Sequence, residues 1–214
     1  MVTKEEFKPS RLSLDLLAQI SAKIDDQTFH WHSHLLYDLP IRPGGFYVEV
    51  GCYAGATSSL MISKPDINVV AIDLGRPISE EIARENVAKF NQSGNAFWYL
   101  RGDSKSYETR KLLTAITKEI DILYIDGDHS FDAVITDFLN YATWVIPGGF
   151  VIFDDYHDDK YSPEVRPAVD LIVSKLLNNA STGNWEIWGT FKNRHRARPA
   201  LMRNGNCFII RKLP

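Results

Sequence analysis

The clearest pattern along the chain is a pair of short apolar runs on either side of an amphipathic segment. Residues 122–125 and 150–153 are rich in β-branched and aromatic side chains, which is typical of parallel strands covered on both faces. Between them, apolar residues recur at helical spacing over 131–145 and predict a helix with Ser130 as its N-cap, ended by residues 147–149. A right-handed crossover would place the C-terminal ends of both strands at one edge of a sheet.

Similar patterns predict the rest of the architecture. Amphipathic helices are expected at 12–24 and 79–91, and the regular apolar stripe of 165–177 should cover the sheet. The final two strands have no helix between them, so they should pair as an antiparallel hairpin. The prediction is an α/β, Rossmann-like fold, with a seven-stranded sheet in which only the last strand is antiparallel and with helices on both faces. The other five strands are expected at 46–50, 68–72, 96–100, 185–191 and 206–211.

Length and composition fit one globular unit. The chain has 214 residues, of which 44% are hydrophobic and 24% charged, so we expect a helical and loop cover at 1–45 and one domain at 46–214. A net charge of −3 gives no reason to expect nucleic acid as a partner. Two distant cysteines and the absence of a long apolar run favour a cytoplasmic protein without a membrane span. A homo-oligomer stays open.

Glycines and a carboxylate at strand ends suggest a nucleoside site. Gly51 and Gly55 follow the first strand with a spacing that matches neither the phosphate-binding loop nor the full dinucleotide fingerprint. Asp73 ends the second strand 22 residues after Gly51, where a carboxylate suits the two hydroxyls of a ribose. Asp103, after the third strand, either caps the next helix or contacts a ligand, and the two roles are compatible.

Acidic side chains follow the two central strands. Asp126, Asp128 and His129 leave the first of them, and Asp154 and Asp155 leave the second. Without a cation these carboxylates would repel one another, which raises at least one pKa. Oxygen ligands favour Mg²⁺ or Mn²⁺ over zinc. Adjacent side chains on a continuing strand point to opposite faces, so the chain must turn at Asp154 and Asp155 if both are to reach one metal.

Two further segments carry unusual side chains. His30, His32 and His34 alternate as zinc ligands could, but no second cluster has matching spacing, so a surface loop is the favoured interpretation. The segment 192–203 is strongly basic and contains no acid. It is either a solvated loop, the favoured interpretation, or a site for an anionic ligand.

Two motif regions in order resemble a known family. The segment VEVGCYAGATSS with Asp73, followed by YIDGDHSFDAV and GGFVIFDDY, resembles the class I S-adenosylmethionine-dependent methyltransferases. The similarity covers residues 46–191 and is greatest to the macrocin-type O-methyltransferases of sugars and small molecules. It implies transfer of a methyl group to a hydroxyl of a small-molecule or sugar-containing acceptor, with an anionic acceptor as one option.

The resemblance also implies residue roles. A base would be Asp128, as in sugar-modifying relatives, or His129, where catechol-type relatives have a lysine. Mg²⁺ or Mn²⁺ would be held by Asp126, Asp154 and Asp155. The catechol-type relatives have Asp-Asn where this chain has Asp154-Asp155. Acceptor contacts are also expected from Tyr156 and His157 and, in the basic segment that the resemblance does not cover, from Arg194, Arg196 and Arg198. The cofactor would be bound by Glu49, Gly51, Tyr53, Gly55, Thr57, Ser58, Asp73, Leu74, Gly102, Asp103, Ser104 and Asp126.

Three other functions stay open at this point. Asp126-Gly127-Asp128 also fits the Asp-x-Asp motif of metal-dependent glycosyltransferases, which leaves the glycine turn and Asp73 without a role. A dehydrogenase would need a complete glycine fingerprint. A non-catalytic nucleoside-binding module would not need Asp128, His129 or the second acid pair.

Overall fold

A single seven-stranded sheet runs through the computed structural model, which describes residues 10–24, 33–177, 184–192 and 206–214. The strands are β1 Gly45–Val50, β2 Ile67–Asp73, β3 Ala96–Arg101, β4 Ile120–Ile125, β5 Val145–Phe153, β6 Trp185–Lys192 and β7 Asn206–Lys212. The helices are α1 Arg11–Lys23, α2 Ser33–Asp38, α3 Ala56–Ile62, α4 Glu80–Ala88, α5 Tyr107–Ile116, α6 Phe131–Tyr141 and α7 Val165–Leu177. In the described residues, no helix is both long and apolar enough to cross a membrane.

The strand order is β3-β2-β1-β4-β5-β7-β6. Strands β1 to β5 are parallel, whereas β7 pairs antiparallel with both β5 and β6. The predicted α/β class, the seven strands and the single antiparallel strand are therefore confirmed. The C-terminal ends of β1, β2 and β4 lie side by side at the centre of the sheet, where the order reverses, and ligands bind at such a point in open α/β sheets.

One predicted boundary is wrong. Helix α6 ends at Tyr141, a 3₁₀ turn spans Ala142–Trp144, and β5 begins at Val145, so residues 147–149 lie inside the strand and do not end the helix. Val145 is almost fully buried and pairs with Ile120 before the register shifts. A buried apolar residue fits a helical stripe and a strand equally well, so periodicity extended the helix too far.

Side chains that alternate along the strands divide the interior into two cores. Tyr47 and Val69 belong to a core that also contains side chains of α1, α2, α3 and α4. Val48 and Val70 belong to the opposite core, against α5, α6 and α7. Because successive side chains of a strand point to opposite faces, each strand contributes to both cores. The rigid sheet that results fixes the positions of the loops at its carboxyl edge.

A buried carboxylate joins β1 to β4 at the amino end of the sheet. Asp121 is 1% exposed, and its Oδ1 accepts hydrogen bonds from Nε of Arg42 at 2.8 Å and from N of Arg42 at 3.2 Å. Its Oδ2 accepts from N of Phe46 at 2.9 Å and from the second guanidinium nitrogen of Arg42 at 3.2 Å. The segment before β1 is therefore fixed to β4 at the end of the sheet opposite the carboxyl edge.

We expect Asp121→Ala to lower the free energy of unfolding by about 1–3 kcal/mol, because it leaves the backbone N–H of Phe46 without its buried acceptor. Glu119→Ala is the matched control. Glu119 also contacts Arg42, at 3.1 Å, but its side chain is 67% exposed, so the loss there should be about 0–1 kcal/mol. Urea unfolding of both variants measures the difference, and equal losses would contradict the structural role of Asp121.

Candidate active site

A cavity of about 340 Å³ opens at the carboxyl ends of β1, β2, β3 and β4, within the size range of small-ligand sites. Ten of the twelve residues predicted to bind a cofactor line it, and they are Glu49, Gly51, Tyr53, Thr57, Asp73, Leu74, Gly102, Asp103, Ser104 and Asp126. Asp128 and His129 line it as well. Cys52, Arg76 and Lys105, which no sequence pattern indicated as ligand-binding residues, also form its walls. Lys105 directly follows Asp103 and Ser104, which were predicted to line the site. Its position in the sequence could therefore have identified it as a lining residue.

Gly51 allows β1 and β4 to approach each other below the cavity. Its φ is +87°, and a Cβ at this position would lie 2.0 Å from the backbone oxygen of Asp126. Only glycine fits there without moving the backbone. Gly55, with φ of +81°, has a different role: it precedes α3 and packs against Ala83 of α4 without lining the cavity.

Asp73 shapes the turn that follows β1. Its Oδ2 accepts hydrogen bonds from N of Cys52 at 2.8 Å and N of Tyr53 at 3.0 Å, and its Oδ1 accepts from N of Gly75 at 2.7 Å. Each carboxylate oxygen has two lone pairs, so Oδ1 keeps acceptor capacity for a ligand. Asp73 therefore supports the loop and also presents an acceptor at the wall of the cavity.

Glu49 places a second carboxylate at the cavity. The side chain is 1% exposed, and the hydroxyl of Ser58 donates to its Oε2. Ser58 is itself fully buried and lies behind Glu49 rather than in the wall. The hydrogen bond from the Ser58 hydroxyl holds the Glu49 carboxylate in place.

Asp128 is held in its ionised form. Its Oδ1 accepts a hydrogen bond from N of Ser130 at 3.0 Å, and its Oδ2 accepts from Nζ of Lys105 at 3.0 Å. These two donors, with the backbone contribution the larger, lower the pKa of Asp128 to about 2. A carboxylate with so low a pKa is a weak proton acceptor at neutral pH.

Three aspartates form an acidic cluster beside the cavity. Asp154 and Asp155 are almost fully buried, and Asp155 has φ of +55°, so the chain turns at the end of β5 as the sequence predicted. Burial, followed by the charges of Asp154, Asp155 and Glu49, raises the pKa of Asp126 well above its usual range. Within the part of the chain that is described, no group of three or more His, Cys, Asp or Glu side chains has an arrangement that could hold a metal ion.

His129 lies between the cavity and this cluster. Its Nε2 is 3.3 Å from Oδ1 of Asp126. Its Nδ1 is 2.9 Å from Oγ of Ser162 and 3.5 Å from Oδ2 of Asp155. The imidazole therefore has one nitrogen beside Asp126, which lines the cavity, and the other among buried polar groups.

Two of the residues predicted to contact an acceptor, Tyr156 and His157, have partners outside the cavity. The hydroxyl of Tyr156 donates to Asp170 at 2.7 Å, and burial together with this bond raises the pKa of Tyr156 to about 12. Nε2 of His157 is 3.2 Å from Oγ1 of Thr190. Neither side chain lines the cavity. Arg194, Arg196 and Arg198 lie outside the described residues, as do His30 and His32 and the side chain of His34.

This fold and the position of the cavity define an α/β protein with a ligand site at the carboxyl edge of its sheet. A family model described as "Methyltransferase domain" matches residues 48–156, which is 109 of the 214 residues. The chain therefore belongs to the methyltransferase-domain family. The specific macrocin-type branch stays a prediction.

Individual proteins are also similar. An uncharacterized protein, R132, of Acanthamoeba polyphaga mimivirus is 36% identical over 173 residues, which is 78% of each chain. The O-methyltransferase from Bacillus cereus in complex with SAH is 16% identical, with a TM-score of 0.63 over 99% of this chain and 94% of that one. The TDP-rhamnose 3'-O-methyltransferase CalS11 is 14% identical, with a TM-score of 0.54 over 95% of this chain and 81% of that one. At these identities the two structures show the shared fold.

We expect Gly51→Ala to abolish binding of S-adenosylhomocysteine or to prevent folding, because a Cβ would meet the backbone of β4. Gly148→Ala is a matched control, since Gly148 has nearly the same φ of +86° but a Cβ added there would meet no atom within 4 Å. Backbone strain of about 1–3 kcal/mol is common to both variants, so only the clash differs. Calorimetric titration and thermal unfolding compare them, and equal behaviour would contradict the close approach at Gly51.

Proposed function

We propose that this methyltransferase acts on a hydroxyl oxygen of a small-molecule or sugar-containing acceptor, with His129 as the general base. The observation that carries the proposal is the position of His129, which lines the cofactor cavity and also contacts the buried acids. Methyl transfer to oxygen requires that the acceptor oxygen be held in line with the methyl group and its sulfur. It also requires that the acceptor hydroxyl lose its proton. An imidazole in the wall of the cavity meets the second requirement.

The lining of the cavity fits the parts of S-adenosylmethionine, which supplies a methyl group on a positively charged sulfur. Glu49 and the turn at Gly51 would surround the methionine end, because a buried carboxylate can accept hydrogen bonds from an ammonium group. Asp73 would accept hydrogen bonds from the ribose hydroxyls. Asp103 and Ser104 would contact the edge of the adenine. The buried carboxylate of Glu49 and the remaining acceptor capacity of Asp73 support this fit.

His129 is the better base of the two candidates. Lys105 and N of Ser130 stabilise the charged form of Asp128, so a proton on that carboxylate would be unfavourable. Imidazole commonly takes protons at neutral pH. The carboxylates of Asp126 and Asp155 lie 3.3 and 3.5 Å from its two nitrogens, and they would stabilise the imidazolium that forms.

The proposal includes a divalent cation at the acidic cluster, which the chemistry of the side chains supports although they are not arranged as a ready-made metal site. Asp126, Asp154 and Asp155 offer only oxygen ligands, which Mg²⁺ and Mn²⁺ prefer. Burial, followed by the charges of Asp154, Asp155 and Glu49, raises the pKa of Asp126, and a cation would offset the contribution of those charges. When bound, such an ion stabilises the negative charge on a deprotonated hydroxyl.

The acceptor is proposed to be a small molecule that carries a sugar or an anionic group. The name of the structural neighbour CalS11 records a nucleotide sugar as its substrate. The basic segment 192–203 of this chain would attract a phosphate or carboxylate on such a molecule.

A panel of sugar and phenolic hydroxyl compounds, assayed by release of S-adenosylhomocysteine, tests this function. We expect His129→Ala to lower kcat by about 10²–10⁴-fold with the affinity for S-adenosylhomocysteine unchanged. Asp128→Asn should change kcat by less than about tenfold, since a group with a low pKa contributes little base catalysis. Asp132→Asn, an exposed carboxylate on α6, is the control. A larger loss in Asp128→Asn than in His129→Ala would reverse the assignment of the base.

The metal is tested without an acceptor, by calorimetric titration of the protein with Mn²⁺ and Mg²⁺. The parent should bind one ion near the site, and Asp154→Ala should lose that binding while it keeps its affinity for S-adenosylhomocysteine. Asp132→Ala should bind the ion as the parent does. Full turnover in excess EDTA would exclude a metal-dependent reaction.

A further inference from the structure

We propose that Asp137 is a positioning residue for the cofactor: its carboxylate holds Ser104 and Lys105 against α6, in the wall where the adenine would bind. This inference rests on the proposed binding of S-adenosylmethionine in the cavity. Asp137 lies on α6, and it is not one of the residues that line the cavity. It would therefore act on the cofactor through its neighbours.

The carboxylate of Asp137 is buried without a hydrogen bond. The residue is 0% exposed, and within the described part of the chain neither of its side-chain oxygens has a hydrogen-bond partner. Burying a charge that is not paired is costly, and native proteins leave few buried polar groups unsatisfied. The stability of α6 therefore does not account for an acid at this position.

The Asp137 carboxylate lies behind the wall of the cofactor cavity. A Cβ added to Gly127 would lie 3.7 Å from Oδ2 of Asp137, and Gly127 lines the cavity. The side chain of Ser104 and the charge of Lys105 both favour the ionised form of Asp137, and these two residues line the cavity as well. Asp137 is therefore placed to act on the loop after β3 from the side opposite the cofactor.

Two further side chains of α6 hold the same loop. Nδ2 of Asn140 donates a hydrogen bond to the backbone oxygen of Ser104 at 3.2 Å, and the hydroxyl of Tyr141 donates to the same oxygen. Asp137, Asn140 and Tyr141 are spaced at i, i+3 and i+4, so they share one face of the helix. That face contacts the backbone of Ser104 directly, and Asp137 adds a charge beside it.

Lys105 lies among three acids. Its Nζ is 3.0 Å from Oδ2 of Asp128 and 3.8 Å from Oδ1 of Asp103. The hydrogen bond to Asp128 is the largest cause of the raised pKa of Lys105, and the charge of Asp137 also contributes. Burial raises the pKa of Asp137 to about 6, and Ser104 and Lys105 offset only part of that effect. Asp137 therefore changes charge close to neutral pH, and its attraction for Lys105 changes with it.

The neighbours of Asp137 keep their charge over the same range. The titratable groups that face it are Lys105 and Asp103 from the loop after β3, Asp128 from the loop after β4 and Tyr141 from α6 itself. Arg110, from α5, faces Tyr141. Asp128 has a pKa of about 2, and the pKa values of Lys105 and Tyr141 are raised. These three groups therefore do not titrate between about pH 5 and pH 8.

The charge of Asp137 has opposite effects on stability and on cofactor binding. Its pKa is higher in the folded protein than the usual value for aspartate, so its contribution to stability falls as the pH rises from about 4 to about 6. The ionised carboxylate attracts the ammonium of Lys105, whereas the neutral acid does not. Affinity for the cofactor should therefore fall as the pH decreases through about 6.

Thermal unfolding without cofactor tests the effect on stability. At about pH 8, Asp137→Asn should have a Tm about 3–8 °C above that of the parent, because it removes a buried charge. At about pH 5 the acid is mostly neutral, and the two Tm values should agree. Asp132→Asn, an exposed carboxylate on the same helix, should follow the parent at both pH values. A Tm for Asp137→Asn below that of the parent at pH 8 would overturn the proposal.

Calorimetric titration with S-adenosylhomocysteine, at the same two pH values, tests the effect on the cofactor. At about pH 8, Asp137→Asn should bind about 2–10-fold more weakly than the parent, and at about pH 5 the two affinities should agree. Lys105→Gln should move the pH at which the affinity falls to a higher value, because the loss of this cation raises the pKa of Asp137. A structural role alone would produce neither change.

Three outcomes would overturn the positioning role. They are equal affinities of Asp137→Asn and the parent at both pH values, a pH dependence that Lys105→Gln leaves in place, and a parent that binds no S-adenosylhomocysteine. The third would refute the proposed cofactor as well, whereas the first two leave cofactor binding intact. The Lys105→Gln titration decides the proposal even where Asp137→Asn does not fold.

Discussion

The close approach of two backbones at the carboxyl edge is the constraint on which the rest of this structure depends. β1 and β4 are neighbours in the sheet, and at their ends Gly51 lies against the backbone of Asp126 with no space for a side chain. The turn after β1 forms one wall of the cofactor cavity, and Asp126 begins the acidic cluster. A single contact between glycine and backbone therefore sets the distance between the turn after β1 and the acidic cluster.

Charge is distributed so that the two ends of the sheet have different chemistry. At the amino end, Asp121 is neutralised by Arg42 and by backbone N–H groups, which stabilises the join between β1 and β4. At the carboxyl edge, Lys105 stabilises the charge of Asp128, whereas Asp126 has its pKa raised by burial and by the acids around it. The buried acid at the amino end therefore has a cationic partner, whereas the acid whose pKa is raised lies at the carboxyl edge beside the cavity.

The sequence predicted most of the fold because its strands are short, apolar and separated by clear helical periodicity. It also predicted most of the cavity, because glycines and acids at strand ends have few alternative roles in such a sheet. It assigned Val145 to the wrong element because apolar periodicity does not distinguish a helix end from a buried strand. It gave no indication of Ser162 or Glu164, since their partners His129 and Phe131 are 33 residues away and one serine in a polar loop has no distinguishing pattern. Contacts of this kind depend on how the segment after β5 folds back, which local propensity does not determine.

Two side chains that contact His129 and the backbone of Phe131 lie beyond the segment that defines the family. The matched region ends at residue 156, after the glycine turn, Asp73, the acidic cluster and His129 itself. Ser162 and Glu164 belong to the connection between β5 and α7, on the side of the site away from the cofactor cavity. Cofactor binding can therefore stay constant while this connection changes, because loops on a rigid scaffold tolerate variation that the sheet does not. A change in that connection would alter the contact at Nδ1 of His129, while the hydrogen bonds between Asp73 and the turn after β1 would stay the same.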